Sequence, residues 1–169
     1  LLLVVDHYQL KEEVNKAATF FAPTDISIAR YLKIKLDSLH LIDENLTYTL
    51  DDMYADLNAD SVRQYLLGDK IELANTPTSV TQHATLGKTN CGVQKFLQTD
   101  PSYYQWSSSP VYSLYFIKVR GGLDDPNNPL PPNDPTVDSR VLCQTTGIET
   151  SSGSTVLHVL ANTHVFVRF

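Results

Sequence analysis

The sequence of 169 residues is poor in cysteine, tryptophan and positive charge, and it has no long apolar run. No stretch approaches the roughly 20 apolar residues that span a bilayer. Leu1 to Val5 is apolar, but it lacks the basic flank and cleavage site of a signal peptide. Because the chain begins with Leu rather than Met, we expect a processed product. Any targeting segment or membrane anchor would then lie upstream of this chain.

Net charge limits the choice of partners. The formal charge is -6 and the pI is near 5.2, whereas proteins that bind nucleic acid need a basic face. We therefore expect no nucleic-acid partner. With 42% hydrophobic and 19% charged residues, the chain can bury a core. Its length predicts a single domain over residues 1–169.

The sequence has few cysteines and histidines, and they form no recognisable catalytic or metal-binding motif. The two cysteines, Cys91 and Cys143, have no metal-type spacing, so they are either two buried thiols or one disulfide in an oxidising compartment. The histidines show no metal-binding pattern, and no nucleophile, phosphate-loop or dinucleotide motif is present. We therefore predict no catalytic residues, no metal and no cofactor. The histidines are His7, His40, His83, His158 and His164.

The first half of the chain has mainly helical periodicity. Leu1 to Val14 suits one helix, and Thr19 to Ala22 suits a short buried strand. After Pro23, either Thr24 or Asp25 can cap a second helix. Its expected buried stripe is Ile28, Ala29, Leu32 and Leu36. Two further helices are predicted over Leu50–Leu57 and from a cap at Asp60 or Ser61 to a stop at Gly68.

The second half is rich in β-branched and aromatic residues, which favour strands. Helices followed by strands predict an α+β fold. Asp124 to Pro135 holds five of the nine prolines and is predicted to be an exposed loop inserted between strands. Its acidic group, Asp124, Asp125, Asp134 and Asp138, is either solvated or holds an adventitious cation such as calcium. The predicted strands are Ile71–Ala74, Val80–Leu86, Leu114–Arg120, Val137–Thr145, Thr155–Leu160 and Val165–Phe169.

Two distant segments carry a family resemblance. Phe21-Ala22-Pro23-Thr24-Asp25 and Thr155-Val156-Leu157-His158-Val159-Leu160 resemble the two signature segments of fasciclin-like (FAS1) domains. Val62 to Ile71 and Ala84-Thr85-Leu86-Gly87 are similar to the family's central segments. The resemblance covers about Ala17 to Leu160, and the proline-rich loop accounts for its extra length.

The sequence differs from the family pattern at three places. Leu66 stands where many members have a histidine after the tyrosine, so integrin-type adhesion is not expected. Ala161-Asn162 replaces the usual acidic residue after the second segment. The ending His164 to Phe169 is not the family's common close. It is similar to bacterial members, especially Bacteroidetes-type surface lipoproteins.

The resemblance implies a β-sandwich or wedge of two sheets, with helices packed at one end. It also implies a non-catalytic, extracytoplasmic adhesion module that binds protein or polysaccharide at the cell surface. The expected location is the cell surface, the outer membrane through an upstream anchor, or the periplasm. Two alternatives are a structural spacer of a larger surface assembly and, with less support, a polysaccharide hydrolase. Such hydrolases usually need two carboxylates across a cleft, and no local motif supplies them.

The candidate residues have mainly structural interpretations. Thr24 and Asp25 are expected to accept hydrogen bonds at a helix start. His158 shares one strand face with Val156 and Leu160. Because a buried imidazole needs hydrogen-bond partners, we predict that His158 lies near Thr24 and Asp25 and is hydrogen-bonded there.

One aromatic cluster has two interpretations. Three aromatic residues lie within Tyr103 to Trp106, and Tyr112 follows shortly afterwards. On a regular element these rings cannot all point one way, so they either cover the core or form an exposed recognition patch for protein or sugar. The predicted patch is Tyr103, Tyr104, Trp106 and Tyr112.

Overall fold

A computed structural model describes residues 1–151 and 153–167 of the protein, and within them helices precede most strands. This order confirms the predicted mixture of helices and strands. In the described residues, no helix is both long and apolar enough to cross a membrane. The helices are α1 (Leu2–His7), α2 (Lys11–Lys16), α3 (Asp25–His40), α4 (Leu50–Asp56), α5 (Asp60–Arg63) and α6 (Pro101–Tyr104). The strands are β1 (Thr19–Ala22), β2 (Leu66–Leu67), β3 (Thr81–Ala84), β4 (Asn90–Leu97), β5 (Tyr112–Lys118), β6 (Ser139–Glu149) and β7 (Val156–Leu160).

The seven strands form one sheet in the order β2-β1-β7-β6-β5-β4-β3. Strands β1 and β7 are parallel, and the other neighbouring pairs are antiparallel. The two end strands approach each other, because Leu67 bridges Thr85 and the Leu86 N–H donates to the Leu66 carbonyl at 2.8 Å. The sheet is therefore nearly barrel-shaped, and the predicted separation into two sheets is not confirmed.

Strand β6 connects the two halves of this sheet. Its beginning pairs with β5, and its later part, from Cys143 onward, pairs with β7. The pairing with β7 shifts register between Cys143 and Thr145 and again between Thr145 and Ile148. Gly147 lies in the second shift with a φ of 71°, a left-handed conformation that glycine adopts without a steric penalty. Such bulges bend a strand and increase its twist, which lets one sheet curve around the core.

The interior is built around aromatic side chains. Every residue of β1 is buried, and the Phe21 ring lies 4.8 Å from that of Phe116. Tyr65 packs 5.9 Å from both Phe116 and Phe166. Residues of α1, α3, α4 and α5 join the same hydrophobic cluster. Helices and sheet therefore share one continuous core.

The start of α3 follows from local chemistry. Thr24 is the N-cap, and its hydroxyl accepts a hydrogen bond from the Ser27 N–H at 3.2 Å. Ile28 and Tyr31 are buried as the helix turns toward the sheet, whereas Ala29 is exposed. The buried stripe is therefore displaced from the predicted one.

Three predicted elements between residues 1 and 74 are wrong in detail. Leu1 to Val14 does not form one helix. The helical conformation is interrupted between α1 and α2, where Gln9 has a φ of 57°. Helix α5 has Ala59 rather than Asp60 or Ser61 as its N-cap, and it ends well before Gly68. The chain then becomes extended, since β2 pairs with β1. Ile71–Ala74 is not a strand.

Two further differences between the prediction and the structure concern strands. Strand β4 was not predicted, because Gly92, Gln94 and Lys95 weaken its apolar alternation. Residues 165–167 do not form the predicted terminal strand. Arg168 and Phe169, which complete that prediction, lie outside the described residues, as does Ser152.

Candidate functional site

The two segments that carry the family resemblance lie side by side. Strands β1 and β7 run parallel, and Phe21 is the register partner of His158. The two rings stack with centroids 5.1 Å apart. Pro23 follows β1 directly, and α3 begins at Asp25. The imidazole thus lies on the strand beside the one that leads into α3.

The predicted hydrogen bond from His158 to Thr24 or Asp25 is wrong. The Nε2–H of His158 donates to the Ile71 carbonyl at 3.0 Å, and Nδ1 accepts from the Gly147 N–H at 3.2 Å. Thr24 instead bonds within its own helix start. The Asp25 side chain is 87% exposed and pairs with the terminal amine of Leu1.

His158 joins three parts of the fold. Gly147 belongs to the bulge of β6, where the ladder with β7 is interrupted, so its N–H needs another acceptor. Ile71 lies in the segment after β2, and its own N–H donates to the Thr19 hydroxyl at 2.8 Å. Burial lowers the pKa of His158, which keeps the imidazole neutral with one donor and one acceptor nitrogen. Its role is therefore structural.

A second buried histidine was not singled out by the sequence patterns. His164 Nε2 and the Tyr65 hydroxyl form a hydrogen bond of 2.8 Å, and the Val167 N–H donates to the same hydroxyl at 3.0 Å. Both side chains are buried. Burial lowers the pKa of His164 to about 4 and raises that of Tyr65. Tyr65 is the tyrosine of the central family-like segment, and Leu66 beside it is also fully buried.

The glycine of the Ala84-Thr85-Leu86-Gly87 segment lies against the end of α5. A Cβ at Gly87 would stand 2.8 Å from the Gln64 backbone nitrogen and 3.1 Å from the Asp60 carbonyl oxygen. Only a residue without a side chain fits there unless the backbone moves. This close approach explains why the segment carries glycine at that position.

The acidic residues near the proline-rich loop bind the loop's own backbone. Asp124 and Asp138 each accept a hydrogen bond from the backbone N–H of the other, at 2.9 and 3.0 Å. Asp125 accepts from the Asn127 N–H, and Asp134 accepts from Thr136. Within residues 1–151 and 153–167, no three acidic, histidine or cysteine side chains are placed to hold a metal ion. The carboxylates close and shape the loop.

Both cysteines are free and buried. Cys91 lies on β4 and Cys143 on β6, with β5 between them. Burial raises the pKa of Cys91 to about 12 and also raises that of Cys143. The structure therefore favours two inert thiols over a disulfide.

The aromatic cluster lies on the connection between β4 and β5. Asp100 caps α6 by accepting from the Ser102 N–H at 2.8 Å, and Pro101 occupies its first turn. This short helix presents Tyr103 and Tyr104, which are 52% and 38% exposed, and Trp106 after it is 92% exposed. We call these three residues, together with the exposed Leu97 at the end of β4, the hairpin-tip patch.

Tyr112 belongs to a different environment from the other three predicted patch residues. It begins β5 and is half-buried, and Lys95 Nζ lies 5.0 Å from its ring centroid. Leu97 was not predicted, because the sequence pattern does not indicate β4. Beside the patch, Leu97, Tyr104 and residues 107–111 border a surface depression of about 360 Å³. Exposed rings beside a shallow depression suit contact with a surface.

Comparison with protein-family models, with curated proteins and with solved structures found no match.

Proposed function

We propose that this chain is a non-enzymatic, extracytoplasmic binding domain of the fasciclin type, with the two-sheet wedge of that family as its underlying plan. The proposal is supported by the adjacency of the two signature-like segments, with Phe21 paired to His158. The Ala84-Thr85-Leu86-Gly87 segment packs against the end of α5, where Gly87 leaves no room for a Cβ. The partner is protein or polysaccharide at a cell surface, reached through the hairpin-tip patch.

The exposure of Trp106 is the observation on which the binding function rests. Its side chain is 92% exposed although indole is among the most costly surfaces to leave in water. Tyr103 and Tyr104 are exposed beside it. Trp and Tyr are enriched among residues that dominate binding energy at interfaces.

The chemistry of the patch favours recognition over catalysis. Residues 96–111 include one charged side chain, Asp100, and its carboxylate caps α6. The remaining polar groups are hydroxyls and amides, and no histidine or second carboxylate in this stretch stands beside them to act as a general base. The histidines with lowered pKa, His158 and His164, are buried away from solvent.

The experiment compares tip variants with an equally hydrophobic surface variant. Trp106→Ala and the double variant Tyr103→Ala/Tyr104→Ala are tested for retention on immobilised peptidoglycan, on a glycan panel and on host extracellular proteins. Leu41→Ala is the control, because Leu41 is 89% exposed at the end of α3. We expect the tip variants to lose at least tenfold in affinity while the control keeps it, in the range that hot-spot residues show.

Two other results point to the alternatives. A spacer domain would show no retention on any of these surfaces, in the intact chain as in the variants. A hydrolase would release reducing sugar from the glycan panel. If a bound partner is retained equally by Trp106→Ala and Leu41→Ala, the patch is not the recognition surface.

A further inference from the structure

A cavity lies between the proline-rich loop and the outer face of the sheet. It has a volume of about 610 Å³, which falls within the range of small-molecule sites. Register places Gly92, Ile117 and Arg140 side by side on β4, β5 and β6, so their side chains share a sheet face. Arg140 and Gln94 from this face line the cavity floor.

The walls of the cavity are held in place by specific contacts. On one side, Val80 covers Gly92, since a Cβ there would stand 2.8 Å from Val80 Cγ1. Gln94 Nε2 donates to the Thr78 carbonyl at 2.7 Å and fixes the segment before β3. On the other side, the paired hydrogen bonds between Asp124 and Asp138 close the base of the loop. The site is therefore formed before any ligand arrives, which lowers the entropic cost of binding.

The lining indicates an aliphatic ligand. None of its residues is aromatic, so it offers no ring on which a sugar or a nucleobase could stack. Prolines also restrict the loop's backbone, which keeps the apolar wall rigid. The apolar residues are Val80, Leu123, Pro126, Pro129, Leu130 and Val137.

The charges at the cavity indicate the head group. Arg140 is exposed at the cavity and has no ion pair or hydrogen bond with the part of the chain that the structure describes. Asp124 and Asp125 also line the cavity, but each directs an oxygen to a backbone N–H of the loop. Both carboxylates keep their negative charge, whereas Arg140 is the cationic residue of this lining, and its guanidinium suits a carboxylate ligand.

We infer that this cavity binds a medium-chain aliphatic carboxylate, with the hydrocarbon chain against the loop and the carboxylate at Arg140. This site is separate from the hairpin-tip patch, and the inference does not depend on the proposed function. It assigns the proline-rich loop a role as the wall of a small-ligand site.

The test compares three ligands that share a ten-carbon chain and differ in head group. Decanoate, decanol and decylammonium are titrated below their aggregation limits into the ¹⁵N-labelled chain, and amide shifts are followed by NMR. Decanoate should shift amides around Val80, Leu130 and Arg140, and it should bind about tenfold more tightly than decanol. Tighter binding of decylammonium would show that Asp124 and Asp125 govern the site, and would overturn the inference.

Variants separate the two parts of the site. Arg140→Gln should weaken decanoate about tenfold and leave decanol unchanged, whereas Leu130→Asn should weaken both ligands. Arg30→Gln, an exposed arginine of α3, is the control and should change neither affinity. Equal binding of decanoate by Arg140→Gln and Arg30→Gln, no binding of decanoate at millimolar concentration, or shifts confined to other regions would contradict the inference.

Discussion

Acidification should destabilise the fold through His164 before most carboxylates titrate. Burial lowers the pKa of His164 from its usual 6.5 to about 4 in the folded state. Each pKa unit corresponds to about 1.4 kcal/mol, so the full effect on unfolding free energy is roughly 3 kcal/mol. Protonation would also place a donor on Nε2, where the Tyr65 hydroxyl lies 2.8 Å away.

The direction of this effect follows from where the proton binds first. Above pH 6.5 the imidazole is neutral in the folded and the unfolded chain, and its full contribution to the free energy of unfolding is present. Below pH 6.5 the imidazole becomes protonated in the unfolded chain but stays neutral in the folded chain. The free energy of unfolding therefore falls until about pH 4. At pH 5 the loss from His164 is about 2 kcal/mol, and His158, whose pKa is also lowered by burial, adds to it.

Urea unfolding at pH 7.5 and pH 5.0 measures this loss. His164→Gln should be less stable at pH 7.5, but its stability should change less between the two pH values. His40→Gln is the control, because His40 is exposed at the end of α3. Carboxylates with lowered pKa, such as Glu13 beside Arg63, lose their contribution mainly below pH 4.5. Equal stability of the unmodified chain at both pH values would refute the reasoning.

Three further predictions concern single sites. His158→Leu leaves the buried Ile71 carbonyl without its partner and removes the acceptor of the Gly147 N–H, so unfolding free energy should fall by about 1–3 kcal/mol; a loss below about 0.5 kcal/mol would contradict this role. Gly87→Ala should cost about 1–3 kcal/mol by thermal unfolding, whereas Gly68→Ala, where a Cβ meets nothing within 4 Å, should be nearly neutral. Because burial raises their pKa, Cys91 and Cys143 should react with a thiol reagent only after unfolding, and rapid labelling of the native chain would refute this.

Local signals in the sequence were sufficient for several elements. Pro23 stops β1 and Thr24 caps α3, as the residue types predict. The loop from Asp124 to Pro135 lies between β5 and β6, because proline cannot supply the ladder hydrogen bonds of a central strand. These features depend on neighbours in sequence, so they need no knowledge of the fold.

Contacts between distant segments were harder to predict. The partners of His158 are Ile71 and Gly147, and both depend on how strands come together. Gly147 offered a signal, since glycine within a strand often marks a bulge whose N–H leaves the ladder. The pair of Tyr65 and His164 joins residues 99 positions apart, and no local pattern indicates it.

The candidate binding surface was predicted in part. From the sequence, the aromatic residues from Tyr103 to Trp106 either cover the core or form an exposed patch, and the structure leaves them exposed. The sequence does not indicate that Leu97 lies beside them, because β4 alternates poorly between apolar and polar residues. The cavity under the proline-rich loop depends on strand register, which a single sequence does not specify.

The most direct test of the binding function uses Trp106 as its own reporter, because it is the single tryptophan of the chain. Iodide should quench its fluorescence strongly in the free protein, since the side chain is 92% exposed. Adding whichever immobilised glycan, peptidoglycan or protein retains the chain, in soluble form, should shift the emission to the blue and reduce that quenching. Binding that leaves both the emission and the iodide quenching of Trp106 unchanged would contradict recognition through the hairpin-tip patch.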